Sequence, residues 1–213
     1  MKPYQSSEIK NIIFDLGGVL LNINPLLSLL EFEKLSGLDK EVLRQRLVKE
    51  NVFEKFETGS FSPAQFRLEL NRIMETNLND TAIDTAWNTL LLDFPFERVQ
   101  LLQQLQKNYK VYLLSNTNII HFRNYTKEFF GKYDIQMIHL FDKLFLSYEI
   151  GLHKPDTRIY QHVLDKLGIE PSETVFIDDS LPNIEAAVNL GINGIHITNA
   201  HDVRHYFENG VLR

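Results

Sequence analysis

A carboxylate followed by two glycines ends the first apolar run of the chain and is the segment best suited to chemistry. Asp15 comes directly after Ile12-Ile13-Phe14, and Leu16 separates it from Gly17 and Gly18. A carboxylate at the tip of a buried strand, with a flexible turn behind it, can act as a nucleophile or as a metal ligand. Asp15 is therefore the first candidate for either role.

Three later apolar runs also lead into polar side chains. These segments are Ser115-Asn116-Thr117-Asn118, Gly151-Leu152-His153-Lys154-Pro155 and Asp178-Asp179-Ser180. Carboxylates suit Mg²⁺, which binds through one or two of them together with substrate phosphate. A hydroxyl, an amide and a lysine ammonium can hold phosphoryl oxygens. Each segment alone is also typical of a turn or a helix cap, but the four in order predict phosphoryl transfer.

A parallel sheet would bring these four segments together. Five short apolar runs predict its strands. The first leads into Asp15, and the others are Val111-Tyr112-Leu113-Leu114, Leu144-Phe145-Leu146-Ser147, Thr174-Val175-Phe176-Ile177 and Gly194-Ile195-His196-Ile197. Helical patterns fill the gaps, and alternating strands and helices predict a Rossmann-like, doubly wound parallel α/β sheet with helices on both faces. Ligands bind outside the carboxyl ends of such strands, where the polar segments fall.

The gap between the first two strands is too long for a single crossover helix, since about 95 residues separate them. Apolar residues at three- and four-residue spacing predict helices over 25–36, 39–50, 62–76 and 80–92. We therefore predict a core domain of residues 1–23 and 95–213 with a small α-helical cap, residues 24–94, inserted after strand one. Loops at this edge of a sheet usually build sites, although the insert could also serve stability alone.

The composition narrows the class of protein. The 213 residues are 44% hydrophobic and 23% charged, which is typical of a globular protein, and no apolar run reaches the length of a membrane span. The absence of Cys excludes disulfides and thiolate sites, and a net charge of −6 without a basic block argues against nucleic-acid binding. Met1–Ser7 contains no apolar segment typical of a signal peptide. We expect a cytoplasmic monomer or homodimer that acts on a small molecule and binds neither nucleic acid nor membrane.

The four polar segments resemble the ordered motifs of the haloacid dehalogenase superfamily. The similar stretches are Phe14-Asp15-Leu16-Gly17-Gly18-Val19, Leu114-Ser115-Asn116-Thr117, Lys154-Pro155 and Phe176-Ile177-Asp178-Asp179-Ser180. The resemblance runs nearly the whole length of the chain, and the helical insert is similar to the superfamily's first type of cap. The Asp-Leu-Gly turn, the Ser-Asn-Thr-Asn segment and the cap stretch around Glu57 and Gly59 are also similar to bacterial α-D-glucose-1-phosphate phosphatases.

The resemblance implies a Mg²⁺-dependent phosphatase that forms an aspartyl phosphate on Asp15, with Lys154 neutralising charge beside it. The implied metal ligands are Asp15, the backbone carbonyl of Gly17, and Asp179. The implied substrate contacts are Ser115, Asn116 and, from the cap, Glu57. Asp178 and Asn183 are expected to hold Asp179 and Lys154 in place from behind.

Gly17 departs from the superfamily pattern, in which phosphatases carry a second Asp that protonates the leaving group and later activates water. Glycine can do neither, and such proton transfer is typically worth about 10²–10⁴ in rate. We therefore expect a sugar phosphate with a good leaving group, a sugar 1-phosphate above all, with help from a water on the metal or from a cap group such as Glu57.

Two other functions stay open at this point. A 2-haloacid dehalogenase also uses a lone nucleophilic Asp, but halide displacement has no use for the Asp178-Asp179 pair. A non-catalytic descendant could instead bind a phosphorylated metabolite or a partner protein through the cap. Loss of the second Asp would be an early step of such decay, yet Asp15, Lys154 and Asp179 are all present.

Overall fold

The computed structural model describes residues 8–198 and 202–213, which form a central five-stranded parallel sheet. The strands are β1 Asn11–Phe14, β2 Lys110–Ser115, β3 Lys143–Leu146, β4 Thr174–Asp178 and β5 Asn193–His196. Their spatial order is β3-β2-β1-β4-β5. The strand order reverses between β1 and β4, so a crevice for ligands is expected at their carboxyl ends. The predicted doubly wound sheet is confirmed.

Within the described residues, ten α-helices accompany the sheet. They are α1 Pro25–Ser36, α2 Lys40–Lys49, α3 Val52–Glu57, α4 Pro63–Met74, α5 Asp80–Asn88, α6 Phe96–Leu105, α7 Ile119–Tyr133, α8 Ser147–Ile150, α9 Thr157–Leu167 and α10 Leu181–Val188. Helices α1 to α5 lie in the long insert between β1 and β2, and the others alternate with the strands.

Alternating side chains of each strand supply two apolar cores, one on each face of the sheet. Ile12 and Phe14 of β1 pack on one face with residues of α6 and α7. Ile13 packs on the opposite face with residues of α9 and α10. Because both faces are covered, the strands are apolar almost throughout, as the sequence pattern indicates.

A further apolar core is built mainly from α1 to α5 of the insert and includes Ile120 of α7. The helix starts of the insert are encoded locally: the Asp39 carboxylate accepts from the first turn of α2, and Ser62 and Gln65 form a reciprocal cap at the start of α4. The four predicted helices are present. Helix α3 was not predicted, because six residues are too few to show a helical period.

The chain enters and leaves the insert through two segments that pair with each other. Ile23 and Leu91 form an antiparallel bridge. The amide of Asn22 donates to the Asp93 carbonyl at 2.9 Å, and the amide of Asn24 donates to the Leu90 carbonyl at 2.8 Å. We refer to these segments, residues 22–24 and 90–93, as the hinge. We propose that the hinge marks the boundary between core and cap that the sequence predicts at residues 23 and 95.

Residues 207–212 form a short antiparallel hairpin, in which β6 Phe207–Glu208 pairs with β7 Val211–Leu212. Two-residue strands carry no readable alternation, so the hairpin was not predicted. The segment Met1–Ser7, which is predicted not to be a signal peptide, lies outside the described residues. Within the described ranges, no helix is both long and apolar enough to cross a membrane.

Candidate active site

One buried lysine joins the loops that follow the central strands. The Lys154 ammonium donates to Asp15 Oδ1 at 2.7 Å, to Asp178 Oδ2 at 2.7 Å and to the Leu114 carbonyl at 2.9 Å. Its side chain is only 1% exposed. Four segments of the chain therefore meet at a single positive charge, at the edge of the sheet where ligands are expected.

Asp178 is the most firmly held carboxylate of the site. Its side chain is fully buried and accepts from Lys154, from the Ser180 amide at 2.8 Å and from the Asn183 side chain at 3.0 Å on each oxygen. Both of its oxygens thus have protein donors, which suits a residue that positions Lys154. The role of Asp178 and Asn183 in holding Asp179 and Lys154 in place stays a prediction from the sequence.

Asp179 lies beside the glycine turn that follows Asp15. A Cβ atom built on Gly18 would be 2.3 Å from Asp179 Oδ2, so the glycine is what lets the carboxylate approach the turn. One ligand atom each from Asp15, Asp178 and Asp179 lies within 4.8 Å of the others. Among the described residues this site holds three carboxylates and one ammonium, which leaves about two negative charges uncompensated.

The local electrostatics reflect this excess of negative charge. Burial raises the pKa of Asp15 to about 7, with Lys154 opposing the shift and Asp178 adding to it. Burial and the neighbouring Asp178 also raise the pKa of Asp179. For Lys154 burial lowers the pKa, but the facing carboxylates of Asp15 and Asp178 outweigh it and the pKa is raised. An oxygen-liganded divalent cation is the partner that fits such a donor set.

The loop after β2 is fixed to the loop that carries Lys154. The Asn116 Oδ1 atom accepts from the Lys154 amide at 2.9 Å, and Asn116 Nδ2 donates to the Lys154 carbonyl at 3.0 Å and lies 3.1 Å from His153 Nδ1. The Asn116 amide therefore has no hydrogen atom left for a phosphoryl group. The predicted contact of Asn116 with substrate stays a prediction, and with the side-chain amide engaged in this way it would use the backbone N–H.

A cavity of about 610 Å³ lies between the insert and this edge of the sheet. On the core side it is lined by Gly17, Ser115 and Asn116, and on the insert side by Glu57 among apolar residues. The residues predicted from sequence to contact substrate thus share one cavity. A larger cavity of about 920 Å³ lies along α7 and contains none of the carboxylates described above.

The space beside Gly17 is not empty. A Cβ atom at position 17 would lie 3.0 Å from the Ile23 Cδ1 atom. Among the described residues, the side chain nearest to this position is therefore apolar and supplies no proton.

His153 is the residue at this site that sequence reasoning passed over. Its Nε2 atom lies 2.9 Å from Glu57 Oε2, and its Nδ1 atom faces Asn116. The contact joins the insert to the core across 96 positions of sequence. The only signal available was that His153 precedes Lys154, and adjacency by itself does not indicate a role.

The chain is similar to known proteins over nearly its whole length. Residues 9–191 match the haloacid dehalogenase-like hydrolase family. The chain is 31% identical to a D-ribitol-5-phosphate phosphatase of Bacteroides thetaiotaomicron, over 92% of this chain and 95% of that protein. It is 29% identical to a sesquiterpene phosphatase of Aspergillus oryzae, over 90% and 91% of the two chains.

A similar structure is that of a haloacid dehalogenase family enzyme of Bacteroides thetaiotaomicron in complex with magnesium and inorganic phosphate. It superposes with a TM-score of 0.87 at 36% identity, covering 94% of this chain and all of that one. An L-2-haloacid dehalogenase of Xanthobacter autotrophicus, at 19% identity and a TM-score of 0.59, shares the fold alone. The fold, the order of the motifs and these matches lead to one conclusion: the chain is a hydrolase of the haloacid dehalogenase-like family.

Proposed function

We propose that the protein is a Mg²⁺-dependent phosphatase of a small phosphorylated metabolite. The observation that carries the proposal is the buried contact of Lys154 with Asp15. It lies in a cluster of three carboxylates whose negative charge exceeds that of the one ammonium by about two. A nucleophile, a fixed cation next to it and a site for a divalent metal are the parts that phosphoryl transfer requires. Mg²⁺ and phosphate in the similar Bacteroides structure support the same reading.

In the proposed reaction an Asp15 oxygen forms a bond to phosphorus while the bond from phosphorus to the ester oxygen breaks. Lys154 neutralises negative charge between Asp15 and the phosphoryl group, and Ser115 holds a phosphoryl oxygen. A water oxygen then attacks phosphorus, releasing phosphate and the free Asp15 carboxylate. Asp15, the Gly17 carbonyl and Asp179 would hold Mg²⁺, which stabilises charge on the transferring group when bound.

The substrate that we propose first is a sugar or polyol phosphate. The name of the ribitol-5-phosphate phosphatase relative supports this class. The preference for a sugar 1-phosphate follows from Gly17, because the anomeric oxygen leaves more readily than an ordinary alcohol. The likeness to glucose-1-phosphate phosphatases seen in the sequence stays a prediction, as do the cytoplasmic location and a monomeric or homodimeric state.

One observation favours a second substrate class. The insert side of the cavity is formed largely by apolar side chains, including Leu29, Phe32, Leu47, Phe53 and Trp87. A polyol has few partners on such a wall, whereas an apolar or aromatic ester group would bury its surface there at about 25 cal/mol per Å². The name of the sesquiterpene phosphatase relative agrees with this class.

Phosphate release from a panel of esters, with Mg²⁺ or with EDTA, tests the activity and separates the two classes. We expect release only with Mg²⁺, and a higher kcat/KM for sugar 1-phosphates than for simple alkyl phosphates. Equal rates for these two esters would contradict the leaving-group argument. A higher kcat/KM for prenyl or aryl phosphates than for sugar phosphates would favour the second class.

Gly18→Ala is expected to raise the Mg²⁺ concentration for half-maximal activity by roughly 10-fold or more. The new Cβ would lie 2.3 Å from Asp179 Oδ2 and must push this proposed ligand aside. Gly37→Ala is the matched control: Gly37 also has a positive φ, of 69° against 77° for Gly18, but nothing lies within 4 Å of its Cβ position. Both variants carry a backbone cost of about 1–2 kcal/mol. An equal Mg²⁺ requirement in the two would argue against Asp179 as a ligand.

The two competing functions have less support. The similarity to a haloacid dehalogenase shows the fold alone, and halide displacement has no use for the carboxylate cluster. A non-catalytic descendant has no need to retain the buried contacts among Asp15, Lys154 and Asp178. Chloride release from 2-chloropropionate would support the first, and phosphoester binding without turnover would support the second.

A further inference from the structure

The proposed phosphatase activity leaves one chemical task without a residue. Gly17 supplies no proton to the leaving group, and the side chain next to its Cβ position is that of Ile23. For an ester whose leaving oxygen is basic, this proton is typically worth about 10²–10⁴ in rate. The group that provides it must line the cavity and must be able to exchange a proton.

Three ionisable groups that line the cavity cannot do so. His121 has both ring nitrogens engaged, at 3.1 Å from Asn118 Nδ2 and 3.2 Å from the Trp87 carbonyl, and burial lowers its pKa to about 4. Burial raises the pKa of Tyr125 far above the neutral range. Arg44 keeps its proton because a guanidinium does not titrate in proteins.

Glu57 is the ionisable cavity residue that remains among those described. It belongs to the insert and lines the same cavity as Gly17 and Ser115. Its Oε2 atom is 2.9 Å from His153 Nε2, while its Oε1 atom has no hydrogen-bond partner among the described protein groups. One oxygen of the carboxylate is thus anchored and the other is free for proton exchange.

The hydrogen bonds around His153 determine which of its ring nitrogens donates to Glu57. The Lys154 amide donates to Asn116 Oδ1, which fixes the Asn116 side chain so that its Nδ2 hydrogen points at His153 Nδ1. His153 Nδ1 must then accept, and the ring proton sits on Nε2 and is donated to Glu57. His153 is thereby held with its Nε2–H directed at Glu57 Oε2, which fixes the position of the carboxylate at the cavity.

Close packing of the insert on the core holds Glu57 at this position. Gly59 follows two residues later, and a Cβ atom there would be 2.4 Å from the Tyr148 backbone oxygen. Only glycine allows the chain to approach this closely, and its φ of 69° has the same requirement. The end of α3 is therefore pressed against the core beside His153.

We propose that Glu57 is the acid and base of the phosphatase reaction, in place of an Asp at position 17, and that His153 is its positioning residue. Glu57 gives its proton to the ester oxygen as the bond to phosphorus breaks. It takes a proton back from the water that attacks the aspartyl phosphate, so the cycle leaves Glu57 unchanged. The proposal rests on the proposed function, because it assigns a role within that reaction.

A pair of esters with similar shape but different leaving groups tests the role of Glu57. Nitrophenolate leaves p-nitrophenyl phosphate without needing a proton, whereas phenyl phosphate needs more help. In Glu57→Gln we expect kcat/KM for phenyl phosphate to fall by about 10²–10⁴ and that for p-nitrophenyl phosphate to fall much less. We expect kcat to fall for both esters, since water must attack the same aspartyl phosphate.

Control variants separate this role from binding and folding. Glu54→Gln removes an exposed carboxylate from the same helix and should match the wild type. His153→Gln should show the same ester dependence as Glu57→Gln with a smaller loss, whereas His139→Gln, at an exposed histidine, should show none. An equal loss of kcat/KM for both esters in Glu57→Gln would overturn the proposal and leave Glu57 as a binding residue. Unchanged turnover in Asp15→Asn would instead overturn the proposed function.

Discussion

Mg²⁺-dependent phosphate release is expected to fall by a factor on the order of 10⁵ when Asp15 is replaced by Asn. The amide oxygen of Asn can still accept from the Lys154 ammonium, which donates to Asp15 Oδ1 at 2.7 Å in the structure. The uncharged amide cannot form the phosphoryl bond, and it is a weaker ligand for a divalent cation. The loss should therefore appear with every ester of the panel, including p-nitrophenyl phosphate.

The informative comparison is with a variant that removes an ordinary carboxylate. Asp165→Asn changes an exposed residue of α9 and should keep the wild-type rate. The unfolding transition of each variant in urea shows whether the fold is intact. Phosphate release by a folded Asp15→Asn variant within about tenfold of the wild type would rule out Asp15 as the phosphoryl acceptor.

Lys154→Met is expected to lower both stability and activity. Lys154 is 1% exposed and pairs with Asp15 and Asp178, so its loss leaves two carboxylates facing each other without a cation. Breaking a buried ion pair from one side costs about 3–5 kcal/mol of unfolding free energy. Without Lys154 the already raised pKa of Asp15 rises further, so less of the nucleophile is ionised at neutral pH. We expect kcat to fall by a factor on the order of 10³.

Lys110→Met provides the same substitution in an exposed setting. Lys110 pairs with Asp142 at 2.8 Å, but its side chain is 66% exposed. Exposed pairs contribute about 0–1 kcal/mol, so urea unfolding should change little. If the two variants lost the same unfolding free energy, the buried network around Lys154 would not be the stabilising feature described here.

The architecture was largely predictable because it depends on local patterns. Buried parallel strands read as short apolar runs, and helix α1 begins after Asn24, whose side chain caps it, and ends before Gly37, which adopts a left-handed backbone. The elements that were missed, α3 and the hairpin at residues 207–212, are too short to show a period. Local signals of this kind specify the sheet and most of the insert.

The site was predictable only where its residues fall at strand ends. Asp15 and Asp178 come at the ends of apolar runs and Lys154 and Asn183 a few residues beyond such runs, and the structure brings the four into direct contact or close proximity. Asn116 was expected to contact substrate, and its side-chain amide binds the Lys154 loop. The sequence could not indicate this, because a side-chain amide can bind either a neighbouring loop or a ligand. No spacing rule links His153 to Glu57, since their contact depends on how the insert rests on the core.

The hinge connects the insert to the core at one place. Because residues 22–24 and 90–93 are hydrogen-bonded to each other, the two connections between insert and core lie side by side, and a swing of the insert about them would leave these hydrogen bonds intact. The same swing would part Glu57 from His153 and Gly59 from Tyr148. With the insert swung away, bulk water would reach Asp15 while Glu57 is out of position. With the insert in place, Glu57 would be positioned for proton transfer and bulk water would be kept out.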